Sequence, residues 1–359
     1  MADEKLEVDP AEAPTMPQLS PRTIIQAVVG LSLAVAIIAW GLPHFAETSW
    51  SQIGHHLDRV GWMVTLELLG LVFFGLWLYT FTLTGSLPGL THGKALMMNV
   101  AGSAVGNLLP GGGAAGVAVT YLFGRSWGFS RLAISTSVIV SGVWNVLARV
   151  GLPFLGIAML SLDQTALPRS VRQGALIGGL GGLIVLLVFI AMVVSERWAG
   201  RLGVLLDRWF GHWIARLRRG DKKGERIDLK AVLQNQRSRL ASVTKTGWFP
   251  MTVGVTGFLG IYFVLFWRTM AAVGVDIPTP KLFAAYAIGR LLTAVGVTPG
   301  GLGVTEAGTL AVLVAWGADK PAAAAGVLLF AIFTHIAEVP LGALGWLGWS
   351  LTPKVVPPD

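Results

Sequence analysis

The sequence predicts an all-α integral membrane protein with six full transmembrane helices plus two opposed re-entrant helical hairpins, about eight apolar segments in all. Three observations carry this expectation. First, mean hydropathy is +0.67, 53% of residues are hydrophobic and 13% are charged, where a soluble domain carries about 25% charged residues. Second, apolar runs near 23–43, 61–84, 131–160, 173–195, 248–274 and 320–350 reach the ~20 residues needed to cross a bilayer. Third, two regions, 94–126 and 281–317, are apolar but broken in the middle by proline and glycine.

Composition also excludes several function classes. There are no cysteines, so disulfides, thiolate metal sites and cysteine nucleophiles are ruled out. The formal charge of +8 is concentrated in 196–247, which holds 13 Lys/Arg against 5 Asp/Glu. A basic segment between spans reads as a cytoplasmic loop touching anionic headgroups, not as a nucleic-acid site.

From the N-terminus, residues 1–22 carry Asp3, Glu4, Glu7, Asp9 and Glu12 among prolines. This is the pattern of a disordered acidic tail and not of a signal peptide, whose first region is basic. A single transmembrane domain is expected over 23–352. Within the basic loop, Trp198, Leu202, Leu205, Leu206, Trp209, Trp213 and Leu217 recur at helical spacing among arginines. That predicts an amphipathic interfacial helix, either a lipid gate or a linker resting on the membrane.

With this loop inside, the crossings between the breaks are odd in number, so the two broken regions have opposite orientation: inverted repeats. Both termini then fall in the cytoplasm. The breaks resemble each other. Ala104-Val105-Gly106-Asn107-Leu108-Leu109-Pro110-Gly111-Gly112 aligns with Ala294-Val295-Gly296-Val297-Thr298-Pro299-Gly300-Gly301, and Pro110 and Pro299 stand 189 positions apart. Trp127-Gly128 and Trp316-Gly317 keep the same offset. Proline and glycine free backbone groups that hydrocarbon does not satisfy, so matched breaks point to a mid-membrane substrate site.

Polar residues inside apolar runs cost roughly 2.5–3.5 kcal/mol each when ionisable. Glu306, with Thr298 and Thr305 nearby, is either an acid capping the second half-helix or a proton- or cation-binding carboxylate. Arg290 either pairs with Glu306 or meets a phosphate. Ser137, Ser141, Asn145 and Arg149 form one stripe at i+4 spacing, which faces the bundle. Thr334, His335 and Glu338 share one side of the last span; His335 and Glu338 are a structural pair or a proton relay. Asn107 precedes Gly111, Gly112 and Gly113, whose amides suit an anion nest. No phosphate loop, metal-ligand cluster or nucleophile–base motif is present, so neither an enzyme nor a cofactor is expected. The Gly345-Trp346-Leu347-Gly348-Trp349 stretch reads as a dimer face or as an aromatic interface belt.

At Asn107–Gly112 and Pro299–Glu306 the chain resembles the membrane region of lysylphosphatidylglycerol synthases, whose stand-alone relatives are called flippase-like proteins. The likeness spans about 23–350. It implies translocation of an anionic or polyprenyl-linked lipid between leaflets, with membrane lipids as partners. No segment the size of an aminoacyltransferase follows residue 350, so lysyl-lipid synthesis is not expected. Ala331 stands where many relatives carry an arginine, and Gly142–Asn145 replaces a charged pattern. The alternatives are a secondary transporter of a soluble anion and a non-catalytic membrane partner of an envelope-lipid enzyme.

Overall fold

The computed structural model describes residues 47–109, 112–162, 229–293 and 298–355, with 29, 32, 35–41, 43–44 and 187 as isolated positions or short pieces. The acidic tail, the expected amphipathic helix over 197–219, and Pro110 and Gly111 lie outside the described residues. So do nearly all of the expected spans 23–43 and 173–195.

The described chain is helical. In order it forms α1 (Trp50–Leu57), α2 (Trp62–Ser86), α3 (His92–Leu108), α4 (Gly112–Ser126), α5 (Arg131–Leu162), α6 (Leu229–Ala272), α7 (Thr279–Leu292), α8 (Val304–Ala315), α9 (Lys320–Ala331) and α10 (Glu338–Leu351). A π-helical turn, Ile332–Ile336, joins α9 to α10. Four helices among the described residues are long and apolar enough to cross a membrane: Trp62–Ser86, Arg131–Leu160, Arg239–Ala272 and Lys320–Leu351. α6 starts at Leu229, inside the basic segment. No glycine or proline occurs between Leu229 and Lys245, so nothing stops the helix from running out of the span.

α2 and α6 form the central pair, and they run antiparallel. Glu67 meets Arg268 at 2.7 Å near one end, Gly75 lies against the Tyr262 ring, and Gly85 touches Gly247 at the other. Glycines at these positions let the two backbones approach closely, the usual solution where lipid supplies no hydrophobic drive. α3 and α4 fold back on each other as a hairpin. Gly106 packs on Gly112, and Gly102 on Gly116. α7 and α8 do the same, with Gly289 against Thr309 and Leu292 against Gly308.

The 189-residue offset extends through the fold. It carries Arg131 onto Lys320 and Leu162 onto Leu351, the ends of equivalent helical stretches. It carries Gly156, packed on Ala284 of α7, onto Gly345, packed on Val100 and Ala101 of α3. Both hairpins also end alike: Gly128 (φ 87°) and Gly317 (φ 89°) are left-handed, and the Phe129 N–H to Gly124 bond recurs as Ala318 N–H to Leu313, each 3.0 Å. A positive φ after a helix favours glycine because other residues crowd their own carbonyl there. α5 packs on α7 as α10 packs on α3. This exchange maps α2 onto α6, two helices that point in opposite directions.

The glycine face of α10 is used within the chain. Gly342, Gly345 and Gly348 all meet α3, and Trp346 and Trp349 pack on Phe123 of α4. That stretch therefore seals the first hairpin and offers those glycines no free face for a second copy.

A Cβ on Gly112 would collide with the Gly106 carbonyl, whereas Gly113 has nothing within 4 Å. Gly112→Ala is expected to destabilise by about 1–3 kcal/mol through overpacking, and Gly113→Ala to leave stability within about 0.5 kcal/mol of wild type. Thermal unfolding of the two purified variants in one detergent checks this.

Candidate functional site

The second break is built on three left-handed glycines: Gly300 (φ 61°), Gly301 (φ 79°) and Gly303 (φ 86°). They turn the chain from α7 into α8. The freed groups find partners nearby. The Thr298 hydroxyl donates to the Leu302 carbonyl at 2.7 Å, and Gly301 N–H to the Thr298 carbonyl at 3.0 Å. Glu306 Oε2 accepts from Gly303 N–H at 2.5 Å, closing the N-terminus of α8. This is the capping role of Glu306, favoured by the positive end of the helix dipole. Pro299 opens the same turn.

The two breaks come together. Gly300 lies against the Asn107 side chain at the end of α3 and against the His335 ring. His335 Nε2 is 3.3 Å from the Gly300 carbonyl and its Nδ1 is 3.1 Å from the Thr334 hydroxyl. The carbonyl only accepts, so Nε2 carries the proton in this arrangement. Asn107 Nδ2 donates to Glu338 at 3.3 Å, and the Tyr262 hydroxyl to the same carboxylate at 2.7 Å. Thr334, His335 and Glu338 are all buried. His335 and Glu338 thus sit in one cluster, yet each bonds other partners and they are not bonded to each other.

Two arginines stand beside this cluster. Arg290 is enclosed by the rings of Tyr262, Tyr286 and Phe330, at 5.5, 5.5 and 5.3 Å from its guanidinium, a cation–π cage. It makes no hydrogen bond or ion pair among the described residues, so the alternative of a direct Arg290–Glu306 pair is not what forms. Among the described residues Arg149 donates a single bond, to the Thr293 hydroxyl at 3.3 Å, and lies close enough to Arg290 for the two charges to repel. The rest of its stripe meets protein: Ser137 is 2.7 Å from Ser86, and Asn145 donates to the Tyr79 hydroxyl at 2.6 Å.

Arg290 also lines a narrow cavity with Thr305, Glu306, Thr309, Tyr286 and Phe330, with about 10 Å³ of room, roughly that for one water. The Thr305 hydroxyl is buried there without a partner among the described residues. Of the first break, Gly112 serves helix packing and Gly113 is exposed.

The tyrosines were the residues sequence reasoning missed. Tyr79, Tyr262 and Tyr286 are three of only four in the chain, and all three border the arginines or Glu338. A hydroxyl in an apolar run needs a buried partner, and that was the available signal.

The class of protein is therefore a polytopic helical membrane domain in which two broken helical hairpins meet over buried glutamate and histidine flanked by two half-buried arginines. A family described as lysylphosphatidylglycerol synthase TM region matches residues 27–342, and the chain belongs to this family. It is a membrane domain associated with lipid-related function. A comparison with curated proteins gave no match.

Tyr262→Phe removes the 2.7 Å hydrogen bond to Glu338. A double-mutant cycle with Glu338→Gln should return a coupling of about 0.6–2 kcal/mol, the range for interhelical hydrogen bonds in membranes. Unfolding of the four proteins in mild detergent measures it. Additivity within about 0.3 kcal/mol would remove the Tyr262–Glu338 bond from the account.

Proposed function

We propose that this chain translocates a lipid with a phosphate-bearing headgroup between leaflets, and that both hairpins are re-entrant. One observation carries the reading. Both glutamates of the buried cluster accept from neutral donors, Gly303 N–H for Glu306 and Tyr262 and Asn107 for Glu338. The guanidiniums of Arg149 and Arg290 are left with one hydrogen bond between them among the described residues. Each guanidinium carries five donors in a fork that matches phosphate oxygens. An anion reaching the cluster satisfies them and relieves the repulsion between the two cations.

The re-entrant reading rests on length and on the two ends of the bundle. Lys94 and Asn107 are 13 positions apart on α3, about 20 Å at helical rise. That is the depth from a headgroup plane to about the middle of a ~30 Å core. At the Lys94 end the described charges are basic: Lys94, Arg125, Arg131, Arg239, Lys245 and Lys354. Every described acid lies elsewhere, either buried in the cluster or at the far end with Glu47, Asp58, Glu67, Asp276 and Asp319. The positive-inside bias assigns the basic end to the cytoplasm of a cell membrane. With antiparallel α2 and α6 as equivalent helices, the halves read as inverted repeats opening to opposite faces. The acyl chains stay in lipid, so only the headgroup needs a polar path.

Arg290→Gln and Arg149→Gln are each expected to slow transfer of a fluorescent phosphatidylglycerol across proteoliposome membranes at least about tenfold, equivalent to about 1.4 kcal/mol, with the variants still monodisperse. Wild-type rates in both would overturn the arginine roles. Uptake of inorganic phosphate into sealed vesicles without lipid transfer would replace the lipid reading with soluble-anion transport.

A further inference from the structure

A second group of cations stands at the basic end, away from the central cluster. Lys354 follows α10, and its ammonium lies 4.0 Å from the centre of the Trp349 ring. It bonds the Trp349 carbonyl and the Thr352 hydroxyl at 3.2 Å. Lys94, in the first turn of α3, lies 5.2 Å from the centre of the Trp127 ring. The two tryptophans belong to one rigid unit. Trp349 Nε1 donates to Ser126 at 2.8 Å, Trp127 Nε1 to Thr352 at 3.0 Å, and Val355 N–H to the Ser126 carbonyl at 2.9 Å. Two lysines are thereby held on neighbouring indole faces although they repel. Desolvation and then the Lys94 charge lower the Lys354 pKa. Neither lysine has a carboxylate partner among the described residues.

Like charges fixed side by side without a counter-ion cost free energy, and an anion between them recovers it. Three features favour a lipid over a free anion. Indoles of this kind sit at headgroup depth. Leu344, Leu347 and Leu351 run along α10 below the lysines, each more than half exposed, as an apolar track for acyl chains. And the ammoniums themselves lie over indole faces, which holds them at the depth of those rings.

We propose that Lys94 and Lys354, on the Trp127–Trp349 unit, form a peripheral site for the phosphate of an anionic lipid in the leaflet at the basic end. The site is a binding station, and it stands whether or not the central cluster transports. α3 runs directly from this site to Asn107, so one helix joins the two.

The test uses the full chain in nanodiscs of phosphatidylcholine with one-tenth phosphatidylglycerol, and counts retained phosphatidylglycerol by native mass spectrometry after release into mild detergent. The Lys94→Gln/Lys354→Gln double variant should retain one fewer molecule than wild type, while Lys94→Arg/Lys354→Arg retains the wild-type number. Lys354 is exposed and Lys94 half-buried, and an unchanged unfolding temperature in the double variant confirms an intact fold. Arg290→Gln should leave this peripheral molecule bound, which separates the site from the central one. Equal retention by wild type and the glutamine variant overturns the proposal. So does displacement of the lipid by millimolar inorganic phosphate, which would assign the lysines to a free anion.

Discussion

A helix broken inside an apolar medium leaves backbone donors and acceptors that only protein satisfies, and the rest of this structure follows from that constraint. An unpaired group in hydrocarbon costs several kcal/mol. The second break answers with its own Thr298 and Glu306 and with His335, brought in from the last span to the Gly300 carbonyl. His335 reaches it from a π-helical turn, where the Ala337 N–H bonds the Ile332 carbonyl at 2.8 Å. The extra residue in that turn ends α9 and lets Glu338 start α10 facing Asn107. The side chains that satisfy one broken backbone thus assemble a polar cluster at the meeting point of both.

Helix packing keeps that meeting point in place. The α2–α6 contact is made at Gly85–Gly247, Gly254–Thr82 and Gly75–Tyr262. The last of these fixes the tyrosine that both cages Arg290 and bonds Glu338. Dispersion between closely approached backbones supplies stability where lipid tails are as apolar as leucine. A small residue at position 75 therefore bears on the electrostatics of a side chain at position 290.

Much of this was legible in the sequence. The paired breaks, their 189-residue offset and the polar stripe ending in Arg149 located the hairpins and most of the cluster, because Pro, Gly and ionisable residues are costly in apolar runs and so stand out. What was not legible follows from the same reasoning. Tyr262, Tyr286 and Phe330 look like ordinary span residues, since an aromatic ring is cheap in lipid and its role as a cage depends on which helix faces it. The partners of Glu338 come from residues 107 and 262, and no local spacing relates them. His335 and Glu338 have pair-like spacing, but the π-helical turn between them changes the rotation per residue and breaks the register that an α-helix would keep.

The repeat also departs from itself where it matters most. The 189-residue offset carries Arg149 onto Glu338, so equivalent positions on equivalent helices hold a guanidinium and a carboxyl group. Each sits near the end of the facing hairpin's first arm, Arg149 at Thr293 and Glu338 at Asn107. Identical residues there would make the two halves alike in energy towards a charged headgroup. Under the proposed lipid reading, a guanidinium on one side and a carboxyl group on the other make the two halves unlike towards a phosphate. On the proposed inverted-repeat reading a preferred sense requires that symmetry to be broken, and an Arg-to-Glu difference at one pair of positions breaks it without altering the helix packing that the two halves share.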